Sequence, residues 1–478
     1  MLGRRELLRA TGVAGLGMVV GGCREEPNGD ARPTSGTPAS GTPGGTPSGG
    51  PGATGFRMPA EGGPHEVTWM AYGATPGVWG EDSVSPYGRD LRNSRIVARQ
   101  DLVRLAATIA RFEPVVLLVN SAADEAEARR FLAECTAGRS VKDQVGDELD
   151  RSGRIYAGGE KLPAIGSVEF VRMPLNDLWA RDTAPVFVRD AGGRLHGVDL
   201  NFNGWGQWPP RTGLPGWRKD PVKTRNGIRD QPVTRDRGVA AGIAVQGDVQ
   251  VVRTWLTMEG GGLEVNGAGL GVATESCILN PNRNPGRTKA QVEAELRRVF
   301  GVERMLWMPG RPGIELTDWH VDFLARFVAP GNLLYAASDD PEDEPDQRAL
   351  RAGVDRINTL PANERALLLG GADRLTLHAV QPPDPEQVFA AYQARNRALP
   401  ITERGADEFA ETAATGYVGY YEANGCVVLG QFGDLDADQA AYDLLSELYP
   451  DRIVVQITTD GLANAGGTIH CATQQQPA

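Results

Sequence analysis

A chain of 478 residues with 41% hydrophobic content is long enough to bury one large core or two or three ordinary ones, so length alone does not set the domain count. The formal charge of −12 and the isoelectric point near 5.1 argue against a nucleic-acid-binding surface and favour attraction of a cationic small molecule or peptide.

The first residues read as an address. Arg4 and Arg5 precede a weakly apolar stretch from Ala10 to Val20 that runs into Gly21, Gly22 and Cys23. Paired arginines before a short apolar segment resemble a twin-arginine export signal, and the small-residue run ending in Cys resembles a lipoprotein cleavage site at which Cys23 is lipidated. The run is too short and glycine-rich for an ordinary membrane span. Residues 24–56 are rich in Pro, Gly, Thr and Ser and repeat Gly-Thr-Pro at 36–38, 41–43 and 45–47. That composition cannot offset its ordering entropy by burial, so a disordered tether is expected there. The expected organisation is a signal over 1–23, a tether over 24–56 and one folded domain over 57–478. The protein is then exported and extracytoplasmic, touching the membrane only through its lipid anchor.

Beyond the tether, β-like runs at 114–119, 168–173, 249–255, 333–336, 425–429 and 452–457 alternate with helix-like segments at 96–110, 125–135, 289–300, 385–396 and 436–448. This is an α/β chain. The segment 204–239 is rich in Trp, Pro, Arg and Gly without a period and reads as a long surface excursion. After Cys23, four cysteines remain: Cys135, Cys277, Cys426 and Cys471. They show no CxxC or Cys/His spacing for zinc and no disulfide framework, which leaves at least one free thiol.

Four clusters carry chemistry. Asp177, Trp179, Arg181 and Asp182 stand before the strand-like run 184–188, where carboxylates and an aromatic wall suit a planar cation. Alone, such a cluster is weak, and a charged turn flanking a strand is its usual explanation. Glu259 precedes Gly260, Gly261 and Gly262, which allow close backbone approach beside one carboxylate. His320 and Asp322 stand two apart, so an extended chain would project both from one face. Cys471 follows Gly466, Gly467, Thr468, Ile469 and His470, a setting in which a neighbouring His or converging amides would favour thiolate.

Taken together, NDLWARDTAPVFV (176–188), EGGGLEV (259–265), TESCILNPNRNP (274–285), TDWHVDFLARFVAPG (317–331), QFGD (431–434) and GGTIHCATQQQP (466–477) resemble the ordered motif set of agmatine deiminases and the related bacterial peptidylarginine deiminases. The resemblance covers residues 60–478. It implies a single-domain, pseudo-fivefold α/β propeller of ββαβ repeats, the pentein fold of the guanidine-modifying superfamily. It also implies Cys471 as nucleophile, His320 as general acid/base, Asp182 and Asp322 as the carboxylates that grip a guanidinium, and Glu259 as support for the histidine. Asp177, Trp179, Arg181 and Trp319 are the expected substrate-binding set. The implied substrate is a small cationic guanidino compound, agmatine first, or a peptide arginine.

The chemistry agrees with those roles. Two carboxylates hold a delocalised, weakly electrophilic cation with its face toward sulfur, the thiolate adds to carbon, and His320 protonates the departing nitrogen and later activates water. No metal or organic cofactor is required. Gly262, Trp319 and Thr468 depart from the family pattern, in which Asn, a small residue and Asn are common, and Trp319 would narrow the site or add a cation-stacking wall. Two other classes fit parts of the pattern: a lipid-anchored guanidine-binding protein, which would not need Cys471, and a cysteine protease or acyltransferase, which would not need paired guanidinium-type carboxylates.

Overall fold

Five small sheets repeat one connection: an antiparallel strand pair, then a helix, then a third strand parallel to the second. The computed structural model describes residues 55–79, 86–136, 155–206, 233–313, 315–401 and 413–478. The expected export signal lies outside these residues, as does nearly all of the expected tether. Phe56, its last residue, is already in a strand, paired with Asp190.

In the first sheet, His65–Tyr72 leads through the helix Pro86–Ile109 to the parallel strand Val115–Val119, and Val168–Arg172 adds alongside after the helix Ala122–Thr136. Val115–Val119 is buried at all five positions, as expected of a parallel strand covered on both faces. The second sheet pairs Val186–Asp190 with Leu195–Asp199 and crosses over through Val239–Gln246 to Gln250–Arg253. The third runs Glu264–Val265, Leu270–Thr274, the helix Lys289–Phe300 and Arg304–Met308. The fourth runs Ala325–Ala329, Asn332–Ala336, the helices Glu344–Asn358 and Ala362–Leu368, and Thr376–Val380. The fifth runs Tyr421–Ala423, Cys426–Gln431, the helix Leu435–Leu448 and Ile453–Thr458, with Ile155–Tyr156 on its outer edge.

The ring closes through the C-terminus. Thr473–Pro477 pairs antiparallel with His65–Tyr72, with Thr473 opposite Met70, and so completes the first sheet. The described residues form one compact unit. Local sequence sets many boundaries: Thr288 and Gln291 form a capping box at the start of Lys289–Phe300, and Gly301 ends it with φ of 67°.

The repeat also decides where the chemistry sits. In four of the five sheets, the loop entering the first strand of the antiparallel pair carries an expected site residue. Asp182 stands before Val186–Asp190, Glu259 before Glu264–Val265, His320 and Asp322 before Ala325–Ala329, and Cys471 before Thr473–Pro477. The fifth supplies Gly419, whose carbonyl accepts from the His470 amide. One expectation is corrected here. His320 and Asp322 are not on a strand: His320 precedes a short 3-10 turn, Val321–Phe323, because Asp318 and Trp319 both adopt left-handed backbone at φ of 59° and 78° and break the extended run.

Candidate active site

Cys471 is 5% exposed, with the Thr468 hydroxyl 3.4 Å from its sulfur and Asp322 Oδ2 at 3.7 Å. Burial pushes its thiol well above the ordinary range, and the charges of Asp322 and Asp182 push it further. This reverses the expectation that a neighbouring histidine favours thiolate: the ring of His470 is committed elsewhere, with Nδ1 2.8 Å from Asp322 Oδ2 and Nε2 2.9 Å from Glu61 Oε2. Burial and the two aspartates together therefore disfavour thiolate at this site.

Asp182 Oδ2 accepts from the Trp205 indole at 2.8 Å. Its other oxygen, Oδ1, is buried without a hydrogen-bond partner, as are Asp322 Oδ1 and His320 Nδ1. Asp182 Oδ1 and His320 Nδ1 stand 3.9 Å apart. Unsatisfied buried polar atoms are costly, and carboxylate oxygens of this kind match the N–H fork of a planar cation. Gly261 makes the convergence possible, since a Cβ there would lie 2.7 Å from His320 Nδ1 and 2.8 Å from Asp322 Oδ2.

His320 Nε2 lies 3.0 Å from Glu259 Oε2, and Arg283 grips both Glu259 oxygens from the far side at 3.0 and 3.1 Å. Arg283 is fully buried and also donates to Asp318 Oδ2 at 2.6 Å and to the Thr317 carbonyl at 3.0 Å. Burial works against charge on His320, but the Asp182 carboxylate and the bonds around its ring outweigh it, so the imidazole stays protonated well above the usual range. Burial likewise opposes the Glu259 carboxylate, and Arg283 with His320 outweighs it. Asp182 has less help: burial, with Glu259 and Asp322 adding to it, raises its carboxyl to about 6 against the attraction of His320. For Asp322 the same burial is more than offset by the His470 hydrogen bond and charge, which hold it below the usual range.

The expected substrate-binding set is placed differently. Arg181 is 3% exposed and turned into the fold, paired with Glu61 at 3.1 Å and donating to Gln475 at 2.9 Å, while its amide donates to the Cys471 carbonyl at 3.0 Å. It anchors the loops of two sheets to each other. Asp177 accepts from the Trp79 indole at 2.7 Å and from the Leu178 amide at 2.8 Å. Trp179 belongs to the largest apolar cluster and packs against Gly467. Trp319 already carries a cation on its ring, the Arg311 guanidinium 3.9 Å from the centroid, with Arg311 held by Asp343 at 2.7 Å.

Four residues that shape the site were not singled out by their types. His470 and Arg283 lay inside quoted motifs, next to a candidate nucleophile and in the run following Cys277. Trp205 lay in the segment read as a surface excursion, yet it is 2% exposed. Of that segment, 207–232 lies outside the described residues. Glu61 carried no signal. Its carboxylate is held well below the usual range, burial being outweighed by Arg326 at 2.8 Å, Arg181 and His470. Among the described residues, a metal ion has one mixed donor set available: Glu259, Cys277 and His320, with ligand atoms within 4.8 Å of one another.

Residues 57–477 match the family described as Porphyromonas-type peptidyl-arginine deiminase. Agmatine deiminase of Stutzerimonas stutzeri is 32% identical over 433 residues, covering 90% of this chain and 97% of the relative. That of Pseudomonas aeruginosa is 30% identical over 429 residues with the same coverage of each. Among solved structures, the agmatine deiminase of Enterococcus faecalis superposes with a TM-score of 0.61 at 25% identity, covering 89% of this chain and 98% of the other. The fivefold ring and the single domain agree with that fold, and the chain belongs to the Porphyromonas-type peptidyl-arginine deiminase family, a hydrolase acting on the C–N bonds of linear amidines.

Proposed function

We propose that this chain hydrolyses the guanidinium of agmatine to N-carbamoylputrescine and ammonia, with Cys471 as covalent nucleophile. The observation that carries the proposal is the convergence of two aspartates, Asp182 and Asp322, each with one buried carboxylate oxygen lacking a partner, beside the Cys471 thiol and the His320 ring. A guanidinium held between them satisfies both oxygens and supplies the positive charge that the thiol lacks, so substrate binding itself favours thiolate. The thiol proton passes to solvent, and the sulfur then adds to the guanidinium carbon. His320 gives its proton to the departing nitrogen, and ammonia leaves a thiouronium on Cys471. The neutral imidazole next takes a proton from water, the hydroxide oxygen adds to the same carbon, and the C–S bond breaks as the urea carbonyl forms, the adduct's hydroxyl proton restoring the thiol. Glu259, clamped by Arg283, fixes the ring of His320 through both steps.

Peptidylarginine is the second reading, supported by the family description. Agmatine ranks first because the curated relatives at 30 to 32% identity are agmatine deiminases, and because Cys471 at 5% and His320 at 1% exposure suit a slender substrate. Ammonia release from agmatine, free arginine and an arginine-containing peptide, with product masses, separates the two. A gain of about 1 Da on agmatine supports the first reading, the same gain on the peptide alone replaces it with the second, and no ammonia from any of them removes both. We further propose that the chain is exported and anchored by lipid on Cys23, on the strength of Arg4, Arg5 and the run ending at Cys23. Metabolic labelling with a fatty acid tests it: label that survives Cys23→Ala removes the anchor.

A further inference from the structure

Cys277 takes no part in the reaction just described, yet its thiol stands against the two groups that govern the acid/base. Its sulfur lies 3.9 Å from Glu259 Oε2, the same oxygen that meets His320 Nε2 at 3.0 Å. Cys277 and Glu259 are completely buried and His320 nearly so. Cys277 sits on the short helix Glu275–Ile278, while Glu259 and His320 each precede a 3-10 turn, 18 and 61 residues separating Cys277 and His320 from Glu259, which is why no ligand spacing marks them in the sequence. Gly262 leaves room beside the sulfur, since a Cβ there would lie 3.2 Å from it.

We propose that Glu259, Cys277 and His320 form a binding site for a thiophilic divalent cation such as Zn²⁺, and that its occupation switches the deiminase off. Thiolate, imidazole and carboxylate are the donors zinc prefers, and the sulfur selects against magnesium and calcium. Binding releases the thiol proton and the Nε2 proton that now bonds Glu259, so one dication enters as two protons leave and the charge of the buried cluster is unchanged. Arg283 steadies Glu259 from the far side, and Asp318 balances Arg283 at 2.6 Å. With its ring coordinated, His320 can neither protonate the leaving nitrogen nor activate water. The inhibitory consequence rests on the deiminase reading; the cation site does not.

Cobalt(II) serves as the probe, because a bound thiolate gives it a near-ultraviolet charge-transfer band whether or not the protein turns anything over. The band is expected in the wild-type chain and in Cys471→Ala, and absent in Cys277→Ser. A chain in which Cys23, Cys135, Cys426 and Cys471 are all replaced, leaving Cys277 as its one thiol, must still show it, so the test survives a Cys277→Ser chain that does not fold. A band that disappears with Cys471→Ala, or that is missing from the wild type, overturns the site. Zinc should abolish ammonia release reversibly by chelator, and Cys277→Ser should need about tenfold more zinc or higher for the same loss. Equal zinc sensitivity of the two chains, with the cobalt band assigned to Cys277, overturns the switch and leaves the site.

Discussion

His470 joins Asp322 to Glu61, its Nδ1 2.8 Å from one carboxylate and its Nε2 2.9 Å from the other. The flat ring thus bridges two carboxylates beneath the nucleophile, one ring nitrogen to each. The Asp322 oxygen it holds is the one 3.7 Å from the Cys471 sulfur, which leaves Oδ1 for the substrate. Glutamine in its place can satisfy one carboxylate but cannot reach both from opposite edges of a flat ring. We expect His470→Gln to raise KM for agmatine about 10-fold or more, the cost of one poorly satisfied buried carboxylate, with a smaller effect on kcat. If His470 only fills space, His470→Leu and His470→Gln will show the same KM, and steady-state kinetics on the pair decides it.

The thiols divide by position. Cys471 faces both aspartates, whereas Cys426 is buried in a strand between Tyr421–Ala423 and Ile453–Thr458. Cys471→Ala should lower kcat by about 10⁴-fold or more, as losing a covalent nucleophile does, with little change in thermal midpoint. Cys426→Ala should keep most of the activity and lose stability instead, through the small cavity it leaves. Comparable activity in the two variants would remove the covalent mechanism.

Much of this architecture is legible in the sequence where local rules act alone. Lys289–Phe300 is bounded by its own Thr288, Gln291 and Gly301, and the all-apolar run Val115–Val119 reads directly as a buried strand. The site is harder to read because its geometry is made by chain segments far apart. Glu61 meets His470 across 409 residues, a contact that exists only once Thr473–Pro477 has closed the ring. The alternation from Trp319 to Phe323 looks like a strand, yet two consecutive left-handed residues, Asp318, whose short polar side chain tolerates that backbone, and Trp319, whose bulk disfavours it, turn it into a loop. Arg181 has the chemistry of a binding residue, but a buried Glu61 that no periodicity reveals turns it inward. Trp205 lies where composition promises surface, and the carboxylate of Asp182 gives its indole a buried partner.

That indole bond is a specific target. Trp205 donates to Asp182 Oδ2 at 2.8 Å and packs edge-on against Phe202 with ring centroids 5.0 Å apart. Trp205→Phe keeps an aromatic ring in place and deletes the donor. It should raise KM for agmatine by about 5- to 10-fold, the size of one charge-assisted hydrogen bond, while the thermal midpoint moves little. An unchanged KM would show that Asp182 is oriented without Trp205.

Asp182 also couples function to stability through pH. Burial, reinforced by Glu259 and Asp322, raises its carboxyl from an ordinary 3.8 to about 6 in the folded chain. A raised acid contributes stability that is fully present below its unfolded value, and that contribution is lost as pH rises through the folded value. The ionised Asp182 that grips a guanidinium is therefore a destabilising charge in the free enzyme at neutral pH. Asp182→Asn keeps the shape and an acceptor for Trp205 but cannot ionise. Its thermal midpoint should climb relative to wild type between pH 4 and 7, by about 2 °C at the upper end, from a difference on the order of 2 kcal/mol. Over the same range, kcat/KM of the wild type should fall as pH drops below about 6, since protonating Asp182 removes half of the clamp. Thermal scans of both chains from pH 4 to 8 read the first effect. A midpoint difference that stays flat with pH would place the ionisation of Asp182 outside this window, and the acid limb of kcat/KM would then need a different group.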